Sequence, residues 1–336
     1  MSNHPVIPTA LLKDVSRSFY LTLRVLPAAI RPQIGLAYLL ARATDTIADT
    51  EIVPRNQRLD ALRELRGRIM GEHRRILDFS GLARRQGSPA ERVLLERCDE
   101  AVRILDQFSD EDRRQVREVL RVITSGQQLD LIRFAGAAAP DRIVALQSDA
   151  ELDDYTYRVA GCVGEFWTHM CRAHLFPEAQ LDDAGLLANG VRFGKGLQLV
   201  NILRDVPADL RQGRCYLPAP ALASIGMVPR DLLEAGNHAK FRPLYDRYLT
   251  MAADHLAAGW TYTNMLPGGV IRVRLACAWP ILFGARTVAK LRQENVLDPA
   301  RRVKISRTEV RDLMLRSIFL YPFDRAWRRM FARFLA

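Results

Sequence analysis

The stretch "NGVRFGKGLQLVNILRDVPAD", residues 189–209, decides how this 336-residue chain is read. Leu197, Leu199, Val200, Ile202 and Leu203 fill most of the circumference of a helix predicted over 189–205. Gln198, Asn201 and Asp205 fall three and four residues apart, so they share one face, and Asp209 continues it. A helix that is apolar nearly all round is buried. Its narrow polar stripe must then face something polar inside the protein. Pro207 removes a backbone donor and predicts a kink or an end to the helix, which leaves the placement of Asp209 open.

"GLAYLLARATDTIADT", residues 35–50, repeats the inversion. Tyr38, Arg42, Asp45 and Asp49 stand at steps of four, three and four, again on one face. On a solvated helix such an acid pair means little, because like charges at this spacing cost only about 0.2–0.5 kcal/mol. In a partly buried setting two carboxylates roughly 6 Å apart repel by about 3 kcal/mol at an effective dielectric near 20. A compensating cation is then required. Carboxylate and amide oxygens without His or Cys suit a hard cation, magnesium first, and magnesium usually shares its shell with substrate phosphates. The expected ligand is a phosphate or diphosphate bridged by metal. The competing reading pairs the acids with Arg42 and Arg204 as ordinary buried salt bridges. Such bridges do not need matching acid pairs on separate helices.

The rest of the chain reads as helical. Hydrophobic residues make up 49% and charged residues 26%, enough for a sizeable core. Residues 58–75 and 91–107 carry apolar positions at helical spacing. "SDEDRRQV" opens a helix at residue 109 with Ser and acids. Short breaks fall at 81–89, 136–140, 176–180, 212–220, 236–243, 267–269 and 298–302. None is a flexible linker, so the expectation is one all-α domain over residues 1–336.

The net charge of +11 points to anionic partners without choosing among them. A nucleic-acid partner has only that charge in its favour, with no binding motif. Five cysteines without a Cys-x-x-Cys pair imply reduced thiols and a cytoplasmic setting. His169 and His174 lack a zinc ligand set and read as structural or surface residues. The first twenty residues lack the apolar core of a signal peptide. The longest apolar run, residues 275–285, is too short to span a membrane.

At its two acidic stripes the chain resembles the squalene and phytoene synthase family of head-to-head prenyl transferases. "SRSFY" (16–20) is similar to the family's N-terminal phosphate-binding segment. "YLLARATDTIADT" (38–50) and "NILRDVPADLRQGRCYLP" (201–218) resemble its two aspartate motifs. "YTYRVAGCVGEFW" (155–167), "RLACAWPILFGARTVAKL" (274–291) and "VKISR" (303–307) resemble later segments. The resemblance implies an all-α isoprenoid synthase fold with a central cavity. It implies two farnesyl diphosphates joined through presqualene diphosphate, which NADPH reduces to squalene. A dehydrosqualene or phytoene synthase, lacking the reductive step, is the nearest alternative. A family member turned scaffold would be expected to lose its acids, and both pairs are intact.

On this resemblance Asp45, Asp49, Asn201, Asp205 and Asp209 hold magnesium ions against diphosphate. Arg17, Tyr38, Arg42, Gln198 and Arg204 contact the substrate, the arginines through a planar fork that suits phosphate oxygens. The family's catalytic tyrosine precedes Val-Ala-Gly. Here Arg158 stands directly before Val159, where animal and fungal squalene synthases carry tyrosine, and Tyr157 takes the role in preference to Tyr155. Lys304 and Arg307 are expected to meet NADPH phosphates. Eukaryotic squalene synthases end in a membrane anchor, and none is expected here. Its tail, residues 313–336, mixes aromatics with arginines and could lie on the inner membrane surface or pack on the domain. No obligate protein partner is expected.

Overall fold

Among the described residues the only strands are a parallel pair, Val144–Ala145 (β1) beside Arg214–Cys215 (β2), with Val144 opposite Arg214. Everything else regular is helical. The computed structural model describes residues 9–16, 19–135 and 142–334. The chain forms two compact units, Met1–Ile132 with Glu165–Ala179, and Arg133–Gly164 with Gln180–Ala336.

The first unit contains α1 (Thr9–Ser16), α2 (Phe19–Val25), α3 (Arg31–Asp49), α4 (Arg55–Met70), α5 (Ser80–Ala83), α6 (Pro89–Glu96) and α7 (Cys98–Ile104), and nearly all of α8 (Asp110–Arg133). Helix α3 starts with Pro32 in its first turn, where a missing N–H costs nothing. It stops where Thr50 Oγ1 donates back to Thr46 O at 2.6 Å. It packs on α4, α6 and α7, with Leu36, Leu39, Leu40, Ala43 and Ile47 fully buried. The helix expected over 91–107 breaks at Arg97 into α6 and α7. Ser109 Oγ accepts from Asp112 N at 3.1 Å, the N-terminal signal legible in the sequence. Buried Asp112 also accepts from Gln33 Nε2 at 3.0 Å and lies 2.7 Å from His174 Nε2. His174 is therefore a structural partner of a buried acid, and His169 is exposed.

The second unit contains α9 (Asp149–Thr156), a π-helical turn (Tyr157–Gly161), the start of α10 (Cys162–Leu175), α11 (Asp183–Arg211), α12 (Ala219–Ala223), α13 (His238–Met265), α14 (Ile271–Leu291), α15 (Arg307–Leu320) and α16 (Asp324–Ala332). Helix α11 packs on α13, α14 and the π-helical turn. It continues past Pro207 and ends a turn later at Arg211, so the proline does not terminate it. Pro207 has no N–H for the carbonyl of Leu203, four residues back. That oxygen accepts instead from Tyr245 Oη, on α13, at 3.0 Å. Pro243 likewise lies inside α13, so the break expected at 236–243 ends at His238.

Two glycines set how close the π-helical turn and the start of α10 come to α11. A methyl group on Gly194 would sit 2.1 Å from Ala160 O, and one on Gly164 would sit 1.9 Å from Gly190 O. Only bare backbone fits there. Of the tail, α16 turns Trp327, Met330 and Phe331 inward, all 5% exposed or less. Trp327 packs 5.1 Å from the Trp260 ring and donates from Nε1 to Asn264 at 2.9 Å. Among the described residues no helix is long and apolar enough to cross a membrane. The five cysteines are buried thiols, none of them in a disulfide. Burial pushes the Cys98 and Cys215 thiols up to about 12, which makes them inert.

Candidate active site

In the first unit, the open face of α3 is its polar stripe. From Gln33 to Asp49 every residue is buried except Tyr38, Ala41, Arg42, Asp45 and Asp49. Arg42 sits at the centre. Its guanidinium forks between Asp45 and Glu91, the latter from the first turn of α6. Burial alone would lower the Arg42 pKa; the adjacent Asp45 and Glu91 carboxylates outweigh it and hold the pKa above its ordinary value. Tyr38 Oη donates to Val15 O at 3.4 Å. Arg17 lies outside the described residues.

In the second unit, the C-terminal half of α11 shows the same design. Leu199, Val200, Ile202, Leu203, Val206 and Leu210 are buried. Gln198, Arg204, Asp205 and Asp209 are half-exposed, and Asn201 is exposed. Arg204 grips Asp205 in a two-pronged contact, with Nε donating to Oδ1 at 3.0 Å. Arg302 adds a second cation to the same carboxylate, its Nη2 at 3.5 Å from Oδ1. Segment 302–307 thus begins beside the second aspartate motif. Lys304 and Arg307 are exposed. The Lys304 peptide oxygen accepts from Lys290 Nζ at 3.0 Å, which fixes the segment to α14.

The two tyrosines separate clearly. Tyr155 is a core residue, stacked on Tyr216 at 4.8 Å, with the two hydroxyls 3.3 Å apart. Tyr157 is half-exposed in the π-helical turn, its ring against Gly161 and 5.8 Å from Lys195 Nζ. Lys195 Nζ donates to Asp153 Oδ1 at 2.7 Å. Arg158 is held by both oxygens of Asp154. Turns of this kind interrupt helices frequently at functional sites.

Asp45 and Asp205 do pair with Arg42 and Arg204, but these pairs are not sealed in the core. The Asp45 side chain is 42% exposed and that of Asp205 is 23% exposed. Among the described residues no three His, Cys, Asp or Glu gather into a ready-made ligand set. The carboxylates of each stripe fit magnesium, which takes one or two carboxylates and completes its shell with water and substrate phosphate. Glu91 and Arg302 are absent from the sequence reading. Neither is near its partner in sequence, and no spacing rule joins them.

A family model described as squalene/phytoene synthase matches residues 12–309. The chain belongs to the squalene/phytoene synthase family. Its members are prenyl transferases of isoprenoid biosynthesis that condense prenyl diphosphates head to head, typically with magnesium. The presqualene diphosphate synthase of Rhodopseudomonas palustris is 30% identical over 76% of this chain and 77% of that protein. The squalene synthase of Schizosaccharomyces pombe is 24% identical over 92% of this chain and 64% of that protein. The solved structure of TcSQS with a bound ligand matches 97% of this chain and 88% of that chain at a TM-score of 0.80 and 22% identity. A dehydrosqualene synthase structure matches 94% of this chain and 95% of its own at 0.67 and 20% identity. The fold of this squalene/phytoene synthase family member is therefore the all-helical isoprenoid synthase fold.

Proposed function

We propose that this family member is a squalene synthase. It joins two farnesyl diphosphates into presqualene diphosphate with loss of one diphosphate. It then converts that intermediate to squalene, with NADPH as hydride donor and the second diphosphate as leaving group. The observation that carries the proposal is the pair of helices, α3 and α11, each buried except along an acidic stripe with an arginine fork in it. In this reading Asp45, Asp49, Asn201, Asp205 and Asp209 hold magnesium. Magnesium, when bound, neutralises the departing diphosphate as an allylic cation forms.

The chain's own groups do the rest. Arg17, Arg42 and Arg204 offer forks to phosphate oxygens, and Arg42 keeps its charge because two carboxylates flank it. Tyr38, Gln198 and Asn201 add neutral donors that orient the substrate. Tyr157, reachable where Tyr155 is not, serves as the base or cation-stabilising group. The apolar sides around the stripes exclude water that would quench the cation. Lys304 and Arg307, on a segment anchored beside Asp205 through Arg302, meet the phosphates of NADPH.

A second reading has support of its own. The relative at 30% identity is a presqualene diphosphate synthase, so the reaction could stop at the intermediate. Purified protein with farnesyl diphosphate and magnesium, with and without NADPH, separates the readings. Squalene formed only with NADPH is the expected result. Presqualene diphosphate as the sole product under both conditions supports the second reading. Dehydrosqualene under both conditions, or reaction only with geranylgeranyl diphosphate, contradicts the proposal.

A further inference from the structure

Helix α15 is apolar on two faces, and only one is covered. Leu313 and Ser317 are buried, and Ser317 Oγ accepts from Trp279 Nε1 at 2.9 Å. On the other side Leu315, Ile318 and Phe319 stand 49–73% exposed, at the three- and four-residue spacing of one face. Phe323 extends the ridge at 56% exposure, its ring 6.2 Å from that of Phe319. Single exposed apolar side chains are ordinary, but a contiguous ridge of four large ones marks a contact surface.

The charge around the ridge says what it contacts. Residues 307–334 hold seven arginines against Glu309, Asp312 and Asp324, a local surplus of four. All three acids are already paired, with Arg286 and Lys290, with Arg316, and with Arg328. Arg311, Arg325, Arg329 and Arg333 are exposed and make no ion pair among the described residues. A second copy of the chain fits poorly, because a two-fold contact would set this basic strip against itself. Apolar side chains flanked by free cations match the boundary of an anionic bilayer, where the rings enter the acyl region and the arginines meet lipid phosphates.

We propose that the outward face of α15 and the adjoining turn dock this protein on anionic membrane. The amphipathic helix α16 is not the docking element, since its own apolar face is spent on Trp260 and Tyr321. Its exposed arginines, Arg325, Arg329 and Arg333, follow Phe323 directly in the chain. The proposal does not rest on which product the enzyme makes.

Co-sedimentation of the full chain with phosphatidylcholine vesicles, with and without phosphatidylglycerol, tests it. Binding is expected only to the phosphatidylglycerol vesicles and should weaken as salt rises. Phe319→Ser with Phe323→Ser should weaken it about tenfold or more. Arg325→Gln, Arg329→Gln and Arg333→Gln together should weaken it roughly a hundredfold. Far-ultraviolet circular dichroism and prenyl transfer in detergent should stay unchanged. Absence of vesicle binding, equal binding to both vesicles, or full binding by both variants would overturn the proposal. So would a wild-type dimer that the phenylalanine variant dissociates.

Discussion

Tyr155 and Tyr157 stand two residues apart and have opposite surroundings. Tyr155 spends its hydroxyl and its ring on Tyr216, while Tyr157 is left half-open by the π-helical turn. Tyr157→Phe is expected to lower kcat by about a hundredfold or more, within the range of general acid–base contributions, with little change in KM. Tyr155→Phe should leave kcat near wild type and cost about 1 kcal/mol of stability. Steady-state kinetics and thermal unfolding of the two variants check both. The sequence prefers Tyr157 only through the family resemblance; the packing of Tyr216, 61 residues away from Tyr155, is what separates their surroundings. The same holds for Arg42 and Asp205. Their stripes are legible from spacing, whereas Glu91 and Arg302 come from other elements.

At the scale of elements, the inverted polarity of α3 and α11 was readable because buried helices and solvated stripes differ in composition, and composition is local. What Pro207 does was not readable, because the repair comes from α13. The buried Tyr245 hydroxyl serves the one carbonyl the proline deprives, and it lets α11 continue under Asp209. Tyr245→Phe leaves that carbonyl without its donor and is expected to destabilise by about 1–3 kcal/mol, measured by urea unfolding. A small further cost to magnesium affinity should appear if Asp209 shifts. The start of α15 offers a pH test. Hydrogen bonds from Lys290 Nζ and the Ser306 N–H, with Arg286, hold the Glu309 carboxyl down at about 2, against an ordinary 4.5. A depressed carboxyl stabilises the fold above its unfolded-state value, and that stabilisation disappears as pH falls through the folded-state value. Glu309→Gln should therefore lower stability at neutral pH by about 1 kcal/mol, the usual worth of a helix cap. The gap between variant and wild type should close as pH falls from about 4.5 toward 2.

At the scale of the whole molecule, one family model runs through both compact units. The all-helical fold was legible in the sequence because strands have almost no place in it. The basic surplus was legible as a number but not as a location; the structure puts part of it beside the exposed ridge of α15. The central claim is that the acidic stripe of α3 and that of α11 each hold magnesium for a diphosphate substrate. Crystals grown with manganese in place of magnesium and a non-hydrolysable farnesyl diphosphate analogue test it through the anomalous signal of the metal. The claim requires manganese with analogue diphosphate at Asp45 or Asp49 on α3, and manganese with analogue diphosphate at Asp205 or Asp209 on α11. A stripe that holds neither metal nor diphosphate would contradict it.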